Sequence, residues 1–195
     1  TAPEPSRDGK AGAFAGGRIV GGSGSINAMV YARGRRADYD GWARAGATGW
    51  SYPEVLPHFK ALENWVEGPD DYRGGCGPIA VSWCGHHHEI DDAFIQAAVD
   101  AGHRRNPDPN GADQAGVARS QVNQRRGYRS SSGREFLHGL PREQRPRVLT
   151  RTTVTRVIVE NGRAVGVQVG DRVIRARQEV VLCAGAIGSA ALLMN

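Results

Sequence analysis

Gly17 to Arg36 reads GRIVGGSGSINAMVYARGRR, and the rest of the chain is organised around it. A basic residue and an apolar pair (Arg18, Ile19, Val20) run into five small residues, Gly21-Gly22-Ser23-Gly24-Ser25. The amphipathic segment Ile26-Asn27-Ala28-Met29-Val30-Tyr31 follows. Glycine reaches positive φ without a Cβ penalty and lets backbone approach a ligand, while serine hydroxyls bond whatever is held there. A loop of this kind can aim several N–H groups at a planar or anionic cofactor. Two better-known glycine loops fail. A Walker A loop needs Lys after its second glycine, where this chain has Ser23. A dinucleotide fingerprint needs glycine where Asn27 stands, and a strand ahead of the motif. A flexible Gly/Ser linker is the bland alternative, and the apolar residues on both flanks argue against it.

The longer stretch GGSGSINAMVYARGRRADYDGWA, residues 21–43, resembles the first signature of the glucose–methanol–choline (GMC) flavin oxidoreductases, in the choline-dehydrogenase-like branch. Gly24 departs from the Ser that many members carry. The likeness continues in GWSYPEVLPHFKALEN, and in Asn110, Gly111, Gln114 and Gly116, which match an N-G-x-x-Q-x-G segment. It runs on through Arg126 to Ser131, which resembles R-x-G-x-R-x-S-x-x-x-A-x-L with Glu135 in place of Ala. Ala184 to Leu193 resembles the start of the second signature, with Ala190 in place of Pro.

The resemblance implies an α/β fold of mixed α+β character: a partial FAD-binding Rossmann-like domain with part of a substrate domain. Residues 1–50 would carry the flavin loop, 51–145 a partial substrate-binding domain, and 146–195 a return to the FAD-binding domain. FAD is the implied cofactor. Residues that carry over as cofactor contacts are Ile19, Gly22, Ser23, Asn27, Ala28, Met29, Val30 and Val154. The implied reaction oxidises a small-molecule alcohol: a His base takes the hydroxyl proton, and hydride passes to flavin N5. The strand–GxGxxG–helix that holds the ADP half of FAD, and the region supplying that His, fall outside the matched portion. None of the six histidines matches the family context, so no catalytic residue is named here. Two alternatives stand beside this reading. One is a truncated, non-catalytic remnant that does not retain FAD. The other is a FAD-containing hydroxynitrile lyase.

Composition narrows the remaining classes. The 195 residues are 39% hydrophobic and 23% charged, as in an ordinary globular core. The net charge of +5 comes largely from scattered arginines. Arg125, Arg126, Arg129 and Arg134 are dense enough to raise a nucleic-acid partner, but Tyr128 is the sole aromatic among them and no nucleic-acid motif is visible. Those arginines are expected to make ion pairs and cap carbonyls. Cys76, Cys84 and Cys183 are widely spaced, which suits reduced thiols and a cytoplasmic location. No stretch reaches membrane-span length, and the N-terminus lacks a secretory h-region. His86-His87-His88 with Glu89, Asp91 and Asp92 invites a metal, but adjacent histidines do not readily converge on one ion. A solvated loop entering a helix is expected there, and no metal site is assigned.

Local signals set the remaining elements. Residues 1 to 16 read as loop. Ala37 to Trp42 reads as a helical turn with its aromatics buried. Ser51-Tyr52-Pro53-Glu54 is a capping box opening a helix that Pro57 would kink. Pro78 to Trp83 alternates as a strand. Asp91 to Ala101 reads as a helix burying Ile90, Phe94, Ala97, Ala98 and Ala101 ahead of Gly102. Asn106 to Gly111 is a turn cluster, Val117 to Gln124 a strand with Gln121 and Asn123 on one face, and Arg134 to Leu140 a short helix. Beyond Pro146 the period is β: Arg147–Thr150, Thr153–Glu160 and Arg163–Val169, with Asn161-Gly162 as a hairpin turn, then Asp171–Ala176. Glu179 to Cys183 is expected as a strand buried on both faces. It leads into a glycine turn and a helix from Ala190. A sheet with missing neighbours would expose unpaired edges and lower solubility.

Overall fold

The computed structural model describes residues 3–13 and 15–194. They fall into two compact units, Thr1–Pro146 and Arg147–Asn195. Helices and sheets are mixed in sequence, as expected.

The first unit opens with β1 (Pro3–Glu4) paired antiparallel to β2 (Lys10–Ala11), where an irregular loop was expected. The turn between them carries Asp8 and Gly9 at positive φ, a combination that closes hairpins. Helix α1 (Arg36–Arg44) is longer than the anticipated turn, and the Arg35 N–H donates to the Asp38 carboxylate at 3.1 Å. Its aromatics are not all buried. Tyr39 packs edge-on to Phe59, but Trp42 and Trp50, which meet edge to face, are each 51% exposed. Tyr39 meets Tyr52 and Phe59 of the next helix, whereas Trp42 packs against Tyr39 and Trp50.

Helix α2 (Tyr52–Leu62) starts where the capping box places it, with the Ser51 N–H donating to Glu54 at 3.0 Å. It stays helical through Pro57 and buries Tyr52 and Val55. The chain then passes without a loop into β3 (Glu63–Trp65), which pairs parallel with β4 (Ile79–Trp83). The polar Glu63-Asn64 pair gave no strand signal.

Helix α3 (Glu89–Asp100) begins two residues before the expected start. His88 Nδ1 accepts the Ile90 N–H at 3.2 Å, and Gly102 at φ 93 closes the other end. The buried face differs from expectation. Ile95 is buried, while Ile90 and Phe94 are 67% and 70% exposed. The helix has two apolar stripes, Ile90/Phe94/Ala97 and Ile95/Ala98/Val99; both satisfy a 3.6 period, and the tertiary neighbours select the second.

Where one strand was expected over 117–124 there are two short ones. Strand β5 (Gln121–Val122) pairs antiparallel with β4, and β6 (Gln124–Arg125) pairs with β7 (Tyr128–Arg129) through a turn with Arg126 and Gly127 at positive φ. The interruption falls at Asn123, whose N–H donates to the Met29 carbonyl at 2.9 Å. A π-helical turn over Gly133–His138 replaces the expected short α-helix.

The interior of this unit is polar at its centre. Glu63 and Arg73 have no exposed surface, and Gln121, Asn110 and Arg33 are nearly as buried. Arg73 makes a two-point ion pair with Glu63, Nε to Oε2 at 3.0 Å and Nη2 to Oε1 at 2.8 Å. The same carboxylate accepts from Arg33 Nη2 at 2.7 Å and from the Gly74 N–H at 2.9 Å. Arg73 Nη1 reaches on to Asp108 at 2.7 Å and Gln121 at 3.0 Å. Its guanidinium lies 4.0 Å from the centre of the Trp65 ring. Burial works against the Arg73 charge, but Glu63 and Asp108 outweigh it and raise its pKa above the ordinary value. Two cations facing two carboxylates leave the centre neutral. Gly74 is required here, because a Cβ would run into the Lys60 carbonyl.

The second unit is an antiparallel meander, β8 (Arg156–Glu160), β9 (Arg163–Val169) and β10 (Arg172–Arg175), in the order β10-β9-β8. Asn161 and Gly162, at φ 50 and 77, form the hairpin turn that the sequence signals. Residues 147–150, expected as a strand, belong to no helix or strand. Glu179 to Cys183 is a correction: it is not a strand, and Val181 is 71% exposed. A doubly buried strand needs neighbours at both edges, and among the described residues none pairs with it. Helix α4 (Gly185–Met194) starts earlier than expected and leaves Leu193 and Met194 exposed. Among the described residues no helix is long and apolar enough to cross a membrane.

Glu63→Gln would leave two buried guanidiniums with a single carboxylate. It is expected to destabilise the first unit by about 3–5 kcal/mol, read as a lowered denaturant midpoint. Acid should act separately. Asp92 is held below the usual carboxylate range by its bond from Arg119, Asp113 by the Ala115 N–H and then Arg104, and Glu54 by Ser51. Depressed folded pKa values give stability that is complete above about pH 4 and lost as pH falls through the folded values. The melting temperature should therefore drop on acidification below about pH 4.

Candidate functional site

The glycine stretch forms a folded loop on the first unit. Gly21 sits at φ 91 and starts a 3-10 turn over Gly22–Ser25. Ser23 Oγ accepts the Gly17 N–H at 3.1 Å, and the Ser25 hydroxyl donates to the Val20 carbonyl at 2.9 Å. The serines therefore shape the loop itself. Gly21 and Gly133 lie in van der Waals contact, so that a Cβ at Gly133 would come within 3.1–3.2 Å of Val20 and Gly21 backbone atoms.

After the turn the chain is neither helix nor ladder strand. Asn27 Oδ1 accepts the Met29 N–H at 3.0 Å, and Met29 adopts φ 63. That left-handed geometry is uncommon for a side chain of this size. Val30 forms an antiparallel bridge with Val122, flanked by Tyr31 N–H to Gln121 O at 2.7 Å and Asn123 N–H to Met29 O at 2.9 Å. In such a bridge the Val30 N–H and carbonyl point to the opposite edge. Ala28 makes no hydrogen bond among the described residues, and Ile19, Ile26 and Val30 are 55–60% exposed.

Seven of the eight expected cofactor contacts, Ile19, Gly22, Ser23, Asn27, Ala28, Met29 and Val30, thus lie on one continuous loop. Val154 belongs to the second unit, half-buried in the segment that precedes β8. The loop offers an open backbone edge, small residues and exposed apolar side chains in one stretch. That donor set fits the face of a planar, electron-accepting ring such as a flavin. Burial, with Glu63 nearby, pushes the Tyr31 hydroxyl pKa up, so Tyr31 stays neutral where the loop enters the polar centre.

Sequence reasoning missed the residues that hold the loop from beneath: Asn123, Arg129 and Gly133. Their signal was the R-x-G-x-R-like segment itself, where carbonyl capping was expected of the arginines but no target could be read. Arg129 does cap carbonyls, those of Gly24 and Asn27. Two of the histidines take structural roles: His88 caps α3, and His87 faces Asp92 and Arg119 on the surface. Among the described residues no group of three or more His, Cys, Asp or Glu is placed to hold a metal.

Known proteins supply an independent comparison. The family model described as GMC oxidoreductase matches residues 5–195. The oxygen-dependent choline dehydrogenase of Photobacterium profundum is 39% identical, over 99% of this chain and 35% of its own length. The mitochondrial choline dehydrogenase of Mus musculus is 40% identical, over 100% of this chain and 33% of its own. The chain therefore spans about a third of the length of these curated relatives. Among solved structures, pyridoxine 4-oxidase from Mesorbium loti superposes with a TM-score of 0.89 at 31% identity, covering 100% of this chain and 39% of that one. A FAD-dependent oxidoreductase from Chaetomium thermophilum gives 0.89 at 25% identity, covering 99% and 37%.

Gly21→Ala would place a Cβ at φ 91 against Ser25 Oγ. A strain of about 1–2 kcal/mol is expected, together with faster amide exchange across residues 17–30. Unchanged exchange would contradict the tight loop described above.

Proposed function

The chain belongs to the GMC oxidoreductase family, and from that premise we propose that the protein carrying it oxidises a small alcohol to the carbonyl, with FAD as cofactor. The observation that carries the reading is the loop Ile19–Val30, which is anchored from below while its Ala28–Val30 backbone edge is open. Bound FAD would supply the acceptor for the hydride leaving the alcohol carbon. This chain's residues have a narrower task. Ser23 and Gly22 keep the turn compact, Asn27 and Met29 set the course of the backbone beyond it, and Ala28 and Val30 present N–H groups toward the ring. Fixed N–H dipoles stabilise electron density that arrives on such a ring. Ile19, Ile26 and Val30 exclude water from the apolar side of the contact. Val154 is proposed as a separate backbone contact to the adenine portion.

The substrate class we favour is a choline-like alcohol, on the strength of the relatives named choline dehydrogenase. The neighbour named pyridoxine 4-oxidase marks the breadth of alcohols that the same architecture admits. Cys76, Cys84 and Cys183 are exposed free thiols, which supports a reducing, cytoplasmic setting.

The test is an absorbance spectrum of the purified protein after incubation with FAD and removal of the excess, followed by anaerobic addition of choline and other alcohols. A retained flavin band that bleaches with an alcohol is expected. A colourless protein would overturn the proposal in favour of a non-catalytic remnant. A stable flavin band combined with cyanohydrin cleavage would point to the lyase alternative.

A further inference from the structure

The loop is braced from within by the Ser23, Ser25 and Asn27 side chains, each bonded to loop backbone. Its internal backbone bonds are Gly22 N–H to Ile19 O, and Ile26 and Asn27 N–H to Ser23 O. Four further bonds reach it from one neighbouring segment, residues 123–133. Arg129, at the end of β7, reaches back more than a hundred residues in sequence. Its Nη1 donates to Asn27 Oδ1 at 2.5 Å and to the Gly24 carbonyl at 3.3 Å, and its Nη2 donates to the Asn27 carbonyl at 2.6 Å. One planar guanidinium thus grips both oxygens of Asn27 and the last carbonyl of the glycine run. The Asn27 side chain passes the restraint on, because the same Oδ1 takes the Met29 N–H and supports the positive φ there. Asn123 ties the Met29 carbonyl to the same hairpin, with Ser130 N–H closing onto Asn123 O at 2.9 Å.

We propose that Arg129 is a positioning residue for the cofactor: its fork preorganises residues 24–30, so that FAD binds without first ordering them. This rests on the flavin-loop reading above. A fork is needed, because the three oxygens are shared between two nitrogens of one planar group; lysine, a point charge on a flexible stem, cannot reproduce that geometry. Charge-assisted bonds to backbone carbonyls are strong enough to hold the part of the loop beyond its 3-10 turn. Ordering a loop on binding weakens affinity, and preordering it removes that cost.

The experiment uses the full protein, with Arg129→Ala, Arg129→Lys and the control Arg126→Ala. Arg126 sits at the hairpin turn and makes no hydrogen bond among the described residues. Two quantities are read: amide exchange of residues 24–30 without FAD, and FAD affinity by flavin fluorescence, with the visible spectrum of the bound flavin. Arg129→Ala should speed exchange at residues 24–30 and weaken FAD binding about ten- to a hundredfold, with Arg126→Ala unchanged in both. Arg129→Lys should recover only part of the affinity. Wild-type FAD affinity in a folded Arg129→Ala or Arg129→Lys would overturn the proposal, even with faster exchange. If Arg129→Ala does not fold, Arg129→Lys decides by the same criterion. A wild-type protein that binds no FAD would instead overturn the flavin reading itself, and this inference with it.

Discussion

A carboxylate with no exposed surface, Glu63, accepts from Arg33, from two nitrogens of Arg73 and from the Gly74 N–H. A charge buried this deeply is costly to desolvate, and it persists because every direction around it is filled by a donor. The consequence is geometric. Arg33, Glu63, Arg73, Asp108 and Gln121 must converge from five places in the chain, and none can leave without stranding a partner in the interior. Asn110 binds this centre to the loop's exit: its side chain accepts the Arg33 N–H at 2.7 Å, while its amide donates to the carbonyl of Tyr31 at 3.1 Å and to Gln121 at 2.8 Å. The backbone that leaves Val30 is therefore fixed within three residues of the loop.

The loop itself is fixed from a second side. Gly21 rests on Gly133, and the segment Gly24–Met29 is tied to Arg129 and Asn123. Anchored at its start, middle and exit, it has no need of helix or sheet to hold its shape. The Ala28–Val30 edge can then stay unpaired and exposed without becoming loose. A rigid scaffold that presents an irregular backbone segment is the common arrangement for binding loops. Polar burial in the centre and openness at the edge are two sides of one design.

Much of this was legible in the sequence wherever the determinant is local. Ser51 and Glu54 announce α2 through chemistry three residues apart, and Asn161-Gly162 announces the β8–β9 turn through its own φ preferences. The glycine loop could be read as a candidate site from its small residues and apolar flanks. The polar centre could not, because Glu63, Arg73 and Asp108 look in sequence like any surface charges. Likewise Phe94 and Ile95 are equally apolar neighbours, and only the packing of α3 decides which is buried. Glu179–Cys183 failed for the same reason: an apolar run states a need for neighbours without supplying them. Arg129 was read as a carbonyl cap, correctly, but its target a hundred residues away was invisible.

The most direct test is hydrogen exchange on the full protein with and without FAD. The account predicts that FAD protects the amides of residues 19–30, most strongly at Ala28 and Val30, while those around Glu63 and Arg73 are already slow and do not change. Tight FAD binding with no added protection across residues 19–30 would contradict it.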